Sequence, residues 1–220
     1  MIFKVADLTV EALGACDFVR ALCADYICTD PPRLTVQLHQ TDPAAQSIEL
    51  LRQINDQLIG QDTFLMHCSA LALDGEGYLF AAPSGTGKST HAAMWRKVFK
   101  HRVTMINDDK PFVRVSDGGV YVFGSPWSGK HNLSANTSAP VKALCFLRRG
   151  ELDRITRLEP QQALDVIFDQ LPRYQNPNHT VRLLELVDRL LTTTPLYMLE
   201  CTPTEKAAQT AYDGMNGDRI

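Results

Sequence analysis

The sequence lacks several features that mark particular classes of protein. No run approaches the roughly 18 consecutive apolar residues that a membrane-spanning helix needs, and the most apolar segment, residues 64–73, is interrupted by His67 and Ser69. The first residues, MIFKVADL, contain no basic stretch followed by an apolar one, so we expect no signal peptide. Repeats and low-complexity tracts are absent as well. These absences predict a protein without a membrane partner.

Basic charge and paired cysteines are also scarce. The 22 Lys and Arg residues are outnumbered by 25 Asp and Glu, and no basic run exists, which argues against nucleic acid as a partner. The six cysteines form no CxxC pair, and the spacing of Cys16, Cys23, Cys28 and His39 fits no zinc finger. Scattered cysteines of this kind are typical of buried thiols in a reducing compartment, so we expect a cytoplasmic protein.

The sequence does contain enough apolar residues for a core, because they make up 45% of its 220 residues. Residues 1–60 are predicted to form a small N-terminal α+β subdomain with a helix at 10–22, a strand at 34–38 and a helix at 44–59. Residues 61–220 are predicted to form the main domain. Residues 1–60, which begin with an apolar-rich segment, carry no chemical motif.

The main domain shows strand patterns around short turns, followed by helical patterns. Apolar strands are predicted in TFLMHCSALALD, YLFAA, VTMIN and VKALCFL, and a hairpin in PFVRV and VYVFG. A helix is predicted at 91–100, and a mostly helical C-terminal part has helices at 160–171, 180–191 and 205–215 around a strand at 196–200. We therefore predict an α/β fold with a mixed sheet.

The strongest chemical signal is the segment APSGTGKS, residues 82–89. It matches the phosphate-loop pattern G-x-x-x-x-G-K-[ST] at its last three positions, between a predicted strand and a predicted helix, whereas Ala82 replaces the first glycine. Glycines let main-chain N–H groups turn inward around phosphate oxygens. The residues predicted to bind a nucleoside triphosphate such as ATP are Ser84, Gly85, Thr86, Gly87, Lys88, Ser89 and Thr90.

Within this loop two side chains have specific expected tasks. Lys88 would bring a positive charge to the β- and γ-phosphates, and the Ser89 hydroxyl would bind Mg²⁺. A strand-to-helix turn that binds nothing is the structural alternative, but the acidic motif downstream favours nucleotide binding.

That motif is Asn107-Asp108-Asp109-Lys110, at the end of a short apolar strand. One carboxylate could face the Mg²⁺, and the other could accept the proton of an attacking hydroxyl. Because neighbouring side chains on a regular strand point to opposite faces, both can serve one site only if the strand ends irregularly. The alternative is an ordinary turn.

Three further residues are candidates because of their positions. His67 lies on the strand before the loop strand, where a lone histidine is either a core residue or part of the site. Lys130, in a loop that also contains His131, could supply the extra cation that phosphoryl transfer needs. Trp127 in the same loop either stacks on a ligand or fills the core.

The ordered run MHCSA, SGTGKST and NDD resembles the shared core of the HPr kinase/phosphorylase family and the ATP-dependent phosphoenolpyruvate carboxykinases. The resemblance covers roughly residues 64–150 and implies the P-loop fold of those families. It implies that Lys88 holds the β-phosphate, that Ser89 and Asp109 bind Mg²⁺, that Asp108 accepts a proton, and that His67 lies near the transferred phosphoryl group or a second metal. The two aspartates could exchange these roles.

The expected function is therefore an ATP- and Mg²⁺-dependent kinase that phosphorylates a Ser-type hydroxyl of a peptide, small protein or metabolite. A carboxykinase-like lyase is an alternative, although residues 60–65 lack the lysine that those enzymes carry before the histidine. A non-catalytic nucleotide-binding regulator is another. The sequence leaves the acceptor and the oligomeric state open, a homo-oligomer included.

Overall fold

The computed structural model describes residues 1–217, which form two β-sheets and six α-helices. The strands are β1 (Ile2–Val5), β2 (Leu8–Leu13), β3 (Leu34–Gln37), β4 (Thr63–Leu65), β5 (Cys68–Leu73), β6 (Glu76–Ala81), β7 (Val103–Asn107), β8 (Phe112–Ser116), β9 (Gly119–Phe123), β10 (Ser138–Arg149), β11 (Arg154–Leu158) and β12 (Leu196–Cys201). The helices are α1 (Asp17–Leu22), α2 (Pro43–Leu58), α3 (Lys88–Phe99), α4 (Pro160–Ile167), α5 (Pro177–Thr193) and α6 (Glu205–Asn216).

The N-terminal elements form a three-stranded sheet in the order β1-β2-β3, with α1 and α2 beside it. The helix predicted at 10–22 is wrong, because β2 occupies its first part and only α1 is helical. Val10 pairs with Phe3 on one side and Leu34 on the other, so cross-strand packing overrides the helical spacing of the apolar residues. The predicted α2 is confirmed within one residue of each bound and begins with the capping side chain of Asp42.

The N-terminal sheet and its helices enclose a buried cluster that two residues from the rest of the chain complete. Its buried cluster includes Val36 and Leu50 together with Phe112 and Trp127 from the rest of the chain. The division of the chain at residue 60 therefore remains a prediction.

The larger sheet is mixed, in agreement with the predicted α/β class, and β10 holds it together. The first residues of this 12-residue strand pair antiparallel with β9, the middle ones pair parallel with β6, and the last ones pair parallel with β12. The strand order is β4-β8-β9-β10-β6-β5-β7, and β12 joins β10 to β11. The sheet therefore curls around β10, and β6 lies near its centre.

Helices cover both faces of this sheet, as the alternating side chains of β6 illustrate. Tyr78 and Phe80 pack in a cluster that contains Trp95 of α3 and residues of α6. Leu79 and Ala81 pack in the opposite cluster, with residues of α4 and α5. Both faces of β6 are buried, so this strand is a rigid base for the segment that follows Ala81.

Two segments differ from the sequence expectations in ways that matter for the site. The apolar segment 63–74 is two strands rather than one: β4 pairs with β8, and β5 pairs with β6 and β7. His67 lies in the break immediately before β5 rather than within a strand. The C-terminal part contains the predicted helices and β12, but also the unpredicted β11, which is antiparallel to β12.

None of the helices within residues 1–217 combines the length and the apolar character that crossing a bilayer requires.

Candidate functional site

The glycine-rich loop joins the end of β6 to the start of α3, which begins at Lys88 rather than at residue 91 as predicted. Gly85 and Gly87 have φ angles of +81° and +125°, which L side chains rarely adopt. A Cβ built on either residue would meet nothing within 4 Å. Ala82, in place of the first glycine of the pattern, is buried in the core behind the loop. The two glycines thus fix the shape of the loop and leave open space beside its backbone.

Lys88 is buried and folds back along the loop. Its Nζ donates a hydrogen bond to the main-chain oxygen of Ala82 at 2.8 Å. Burial lowers the pKa of the Lys88 ammonium from its ordinary value, and the negative charges of Asp109 and Asp108 act in the opposite direction. A bound anion would act in that same direction and favour the charged lysine.

The acidic pair follows β7, which ends at Asn107. The Asn107 Oδ1 accepts hydrogen bonds from the main-chain N–H groups of Asp109, at 2.8 Å, and Lys110, at 2.7 Å. Its Nδ2 donates to the main-chain oxygen of Ser125 at 2.9 Å. These bonds form a tight turn and end the strand irregularly. Asp108 and Asp109 therefore both line one cavity, as a shared role in one site requires.

The two carboxylates have different surroundings. The Ser69 hydroxyl donates to Oδ1 of the buried Asp108 at 2.7 Å. In Asp109, Oδ1 lies 3.3 Å from Nε2 of His67, and the other oxygen binds the Lys110 ammonium. Burial raises the pKa of Asp109, but the hydrogen bonds from His67 and Lys110 outweigh it and lower the pKa to about 2. Asp109 is therefore ionised at neutral pH.

One cleft of about 520 Å³ contains most of the predicted site residues. It is lined by His67, Ser84, Gly85, Gly87, Lys88, Ser89, Thr90, Asp108, Asp109, Gly129, Lys130 and His131. Thr86 is the exception among the predicted loop residues, because it lines an adjoining cavity of about 400 Å³ with Gly85, Gly87 and Thr90. The size lies in the range of small-molecule sites, and residues distant in the sequence converge on it.

Lys130 reaches this cleft because its loop is held at Trp127 and passes close to Asp109 at Gly129. Trp127 is buried, and its indole N–H donates to the Ser47 hydroxyl of α2 at 3.0 Å. Of its two expected readings, the core one is therefore confirmed, and Trp127 is not among the cleft residues. Gly129 has a φ of +74°, and a Cβ there would lie 3.0 Å from the Cβ of Asp109, so the loop passes directly against the acidic pair.

Several residues that hold the site together were not predicted from the sequence. Ser69 and Ser125 bind the acidic turn, as described above. Arg149, at the end of β10, donates to the main-chain oxygens of Gly85, at 2.6 Å, and Thr86, at 3.3 Å. Asn107, adjacent to the aspartates, carries a signal in the sequence, because asparagine after a strand is typical of a turn. Arg148 and Arg149 follow a predicted strand and could face the same edge, but charged residues at a strand end are commonly solvated, so the sequence favours no site role for Arg149.

The donor atoms fit a divalent cation that arrives together with phosphates. Within residues 1–217, no three His, Cys, Asp or Glu side chains form a metal-binding group. The Ser89 hydroxyl and the Asp109 carboxylate nevertheless line the same cleft. Mg²⁺ commonly binds one or two carboxylates together with substrate phosphates and water, so such a partial donor set suits it.

Comparison with known proteins gives three findings. A solved structure described as the Hpr(Ser) kinase/phosphatase from Coxiella burnetii matches with 12% sequence identity and a TM-score of 0.38, covering 70% of this chain and 93% of that chain. No curated protein matches the chain. The family model described as "SynChlorMet cassette protein ScmC" matches residues 38–204. The resemblance to HPr kinases thus remains an expectation, whereas the chain belongs to the SynChlorMet cassette protein ScmC family.

Proposed function

We propose that the cleft binds ATP with Mg²⁺ and transfers the γ-phosphoryl group to a hydroxyl of a peptide, small protein or metabolite. The observation that carries the proposal is convergence: the glycine-rich loop, the acidic pair, His67 and Lys130 come from four separate segments and line one cleft. A turn without a ligand would not need a buried lysine, two carboxylates and a second lysine around the same space.

The loop is suited to hold the phosphates. Gly85 and Gly87 leave the space beside the backbone open, and main-chain N–H groups in such a loop attract anions together with the start of the following helix. The Lys88 ammonium would move from the Ala82 carbonyl to the phosphates. ATP, when bound, supplies the phosphoryl group, and Mg²⁺ neutralises part of its charge.

The surroundings of the two aspartates support a division of tasks. Asp109, whose pKa is lowered to about 2, stays ionised and with Ser89 would hold Mg²⁺. Asp108 accepts a hydrogen bond from a neutral hydroxyl at Oδ1, so its Oδ2 would hold the proton that the acceptor hydroxyl loses. This division agrees with the one that the resemblance to HPr kinases implies.

The remaining cleft residues would act on the charge of the transferred group. Lys130 lies in the loop that passes against Asp109 and would stabilise negative charge on the phosphoryl oxygens. His67 contacts Asp109 and would keep that carboxylate oriented.

Phosphoryl transfer from γ-labelled ATP to lysate fractions, or to the products of neighbouring genes, tests the proposal. We expect Asp108→Asn to retain nucleotide affinity and to lower the transfer rate on the order of 10²–10⁴-fold, because the proton acceptor is lost. The matched control is Asp165→Asn, an exposed aspartate on α4, which should transfer at the wild-type rate.

Equal transfer by the two variants would remove Asp108 from the proposed mechanism. Binding of Mg-ATP without transfer to any fraction would contradict the kinase proposal and favour a nucleotide-binding regulator.

A further inference from the structure

Gln170, which no sequence motif marked, contacts the site from behind. It ends the 3₁₀ turn Phe168–Gln170 after α4 and is only 2% exposed. Its main-chain oxygen accepts a hydrogen bond from the N–H of His67 at 2.8 Å. The C-terminal part of the chain is thereby joined to the break between β4 and β5.

The side-chain amide of Gln170 makes a second connection. With its nitrogen facing the site, the amide donates to the main-chain oxygens of Ala82, at 2.8 Å, and His67, at 3.1 Å, and reaches Nδ1 of His67 at 3.2 Å. Main-chain carbonyls can only accept hydrogen bonds, so these two oxygens require the NH₂ group on their side. The orientation of the amide is therefore fixed independently of the histidine.

This orientation decides which ring nitrogen of His67 carries the hydrogen. Because Nδ1 faces a donor, it must accept, and a neutral imidazole then carries its hydrogen on Nε2. That nitrogen lies 3.3 Å from Oδ1 of Asp109. The selected tautomer is thus the one that donates to the proposed metal ligand.

The same amide also touches the phosphate loop. The Ala82 oxygen that accepts from Gln170 is the one that accepts from Lys88 Nζ at 2.8 Å. One buried amide therefore connects the start of the loop, the imidazole and, through the imidazole, Asp109.

We propose that Gln170 is a positioning residue that holds His67 as the Nε2–H tautomer, so that the imidazole donates to Asp109. The tautomer follows from the geometry alone, whereas its benefit for phosphoryl transfer rests on the proposed function. Replacing the outer residues whose hydrogen bonds orient the groups around a metal site commonly lowers metal affinity or activity by about 10- to 100-fold.

The direct test is a long-range ¹H–¹⁵N spectrum of the full chain with labelled histidine, without nucleotide and at one neutral pH. The His67 signals are identified by their loss in His67→Asn. We expect a hydrogen-bonded, unprotonated Nδ1 and a protonated Nε2 in the wild-type protein. A protonated Nδ1 would overturn the proposal, and this result requires no Gln170 variant to fold.

A variant provides the second readout. Gln170→Met keeps the length of the side chain and removes both donors, so we expect the His67 signals to shift toward a mixture of tautomers and kcat for transfer to fall by about 10-fold or more. Gln161→Met, at an exposed glutamine of α4, should change neither quantity. An unchanged His67 spectrum in folded Gln170→Met would overturn the proposal.

The two proposals fail separately. The expected tautomer without phosphoryl transfer to any acceptor would contradict the kinase function and support the role of Gln170 in holding His67. Phosphoryl transfer by a protein whose His67 carries its hydrogen on Nδ1 would support the kinase function and contradict the role of Gln170.

Discussion

Mild acid should destabilise this protein through His91, which lies on the first turns of α3 directly behind the phosphate loop. The side chain is 3% exposed, its Nε2 accepts a hydrogen bond from the indole N–H of Trp95 at 3.0 Å, and its ring lies 4.7 Å from that of Phe80. Burial lowers the pKa of His91 from 6.5 to about 4. The folded protein therefore needs this histidine neutral.

The sign and size of the effect follow from linkage. Below pH 6.5 His91 is protonated in the unfolded chain, whereas in the folded protein it is protonated only below about pH 4. The contribution of neutral His91 to the unfolding free energy is therefore complete above pH 6.5 and is lost as the pH falls toward 4. At about 1.4 kcal/mol per pH unit, the complete loss is about 3 kcal/mol. Between about pH 7.5 and about pH 5 the unfolding free energy should fall by about 2 kcal/mol from this residue.

Denaturant unfolding of the wild type and His91→Gln at these two pH values measures this contribution. The glutamine oxygen can accept from Trp95 and does not titrate, so the difference in unfolding free energy between the two proteins should change by about 2 kcal/mol. Parallel pH dependences of wild type and His91→Gln would refute the reasoning.

Two further predictions concern the cleft itself. Gly87→Ala should lower the unfolding free energy by about 1–3 kcal/mol, because alanine is strained at a φ of +125°. The control is Gly60→Ala, where an added Cβ also meets nothing within 4 Å but φ is not unusual, so its unfolding free energy should not fall in this way. Equal unfolding free energies of the two variants would contradict a strained loop. Asp109→Asn should abolish the gain in ATP affinity that Mg²⁺ provides, measured by calorimetric titration with and without the metal. The same Mg²⁺ effect in wild type and variant would remove Asp109 as a metal ligand.

The loop and the acidic pair could be predicted from sequence because their signals are local. The glycines, Lys88 and Ser89 follow one another in a fixed pattern, and β6 before them is a short apolar run, so no distant contact is needed to identify them. The roles of these residues in catalysis remain predictions.

The parts that sequence reasoning missed depend on distant partners. β2 forms because Val10 pairs with Phe3 and Leu34, and periodicity alone does not reveal such pairing. β11 has an irregular pattern and is ordered by β12, more than thirty residues later. Gln170 contacts a histidine about a hundred residues earlier, so neither its type nor its position indicated a role.

Binding of Mg-ATP with wild type, Lys88→Ala and Lys97→Ala tests the central claim most directly. Lys97 is exposed on the same helix, so its replacement leaves the cleft intact. At a nucleotide concentration about a hundred times the Kd, the wild type and Lys97→Ala should gain about 2.7 kcal/mol in unfolding free energy, and Lys88→Ala should gain clearly less. A wild-type protein that gains nothing from Mg-ATP, or a Lys88→Ala variant that gains as much, would contradict a nucleotide site in this cleft.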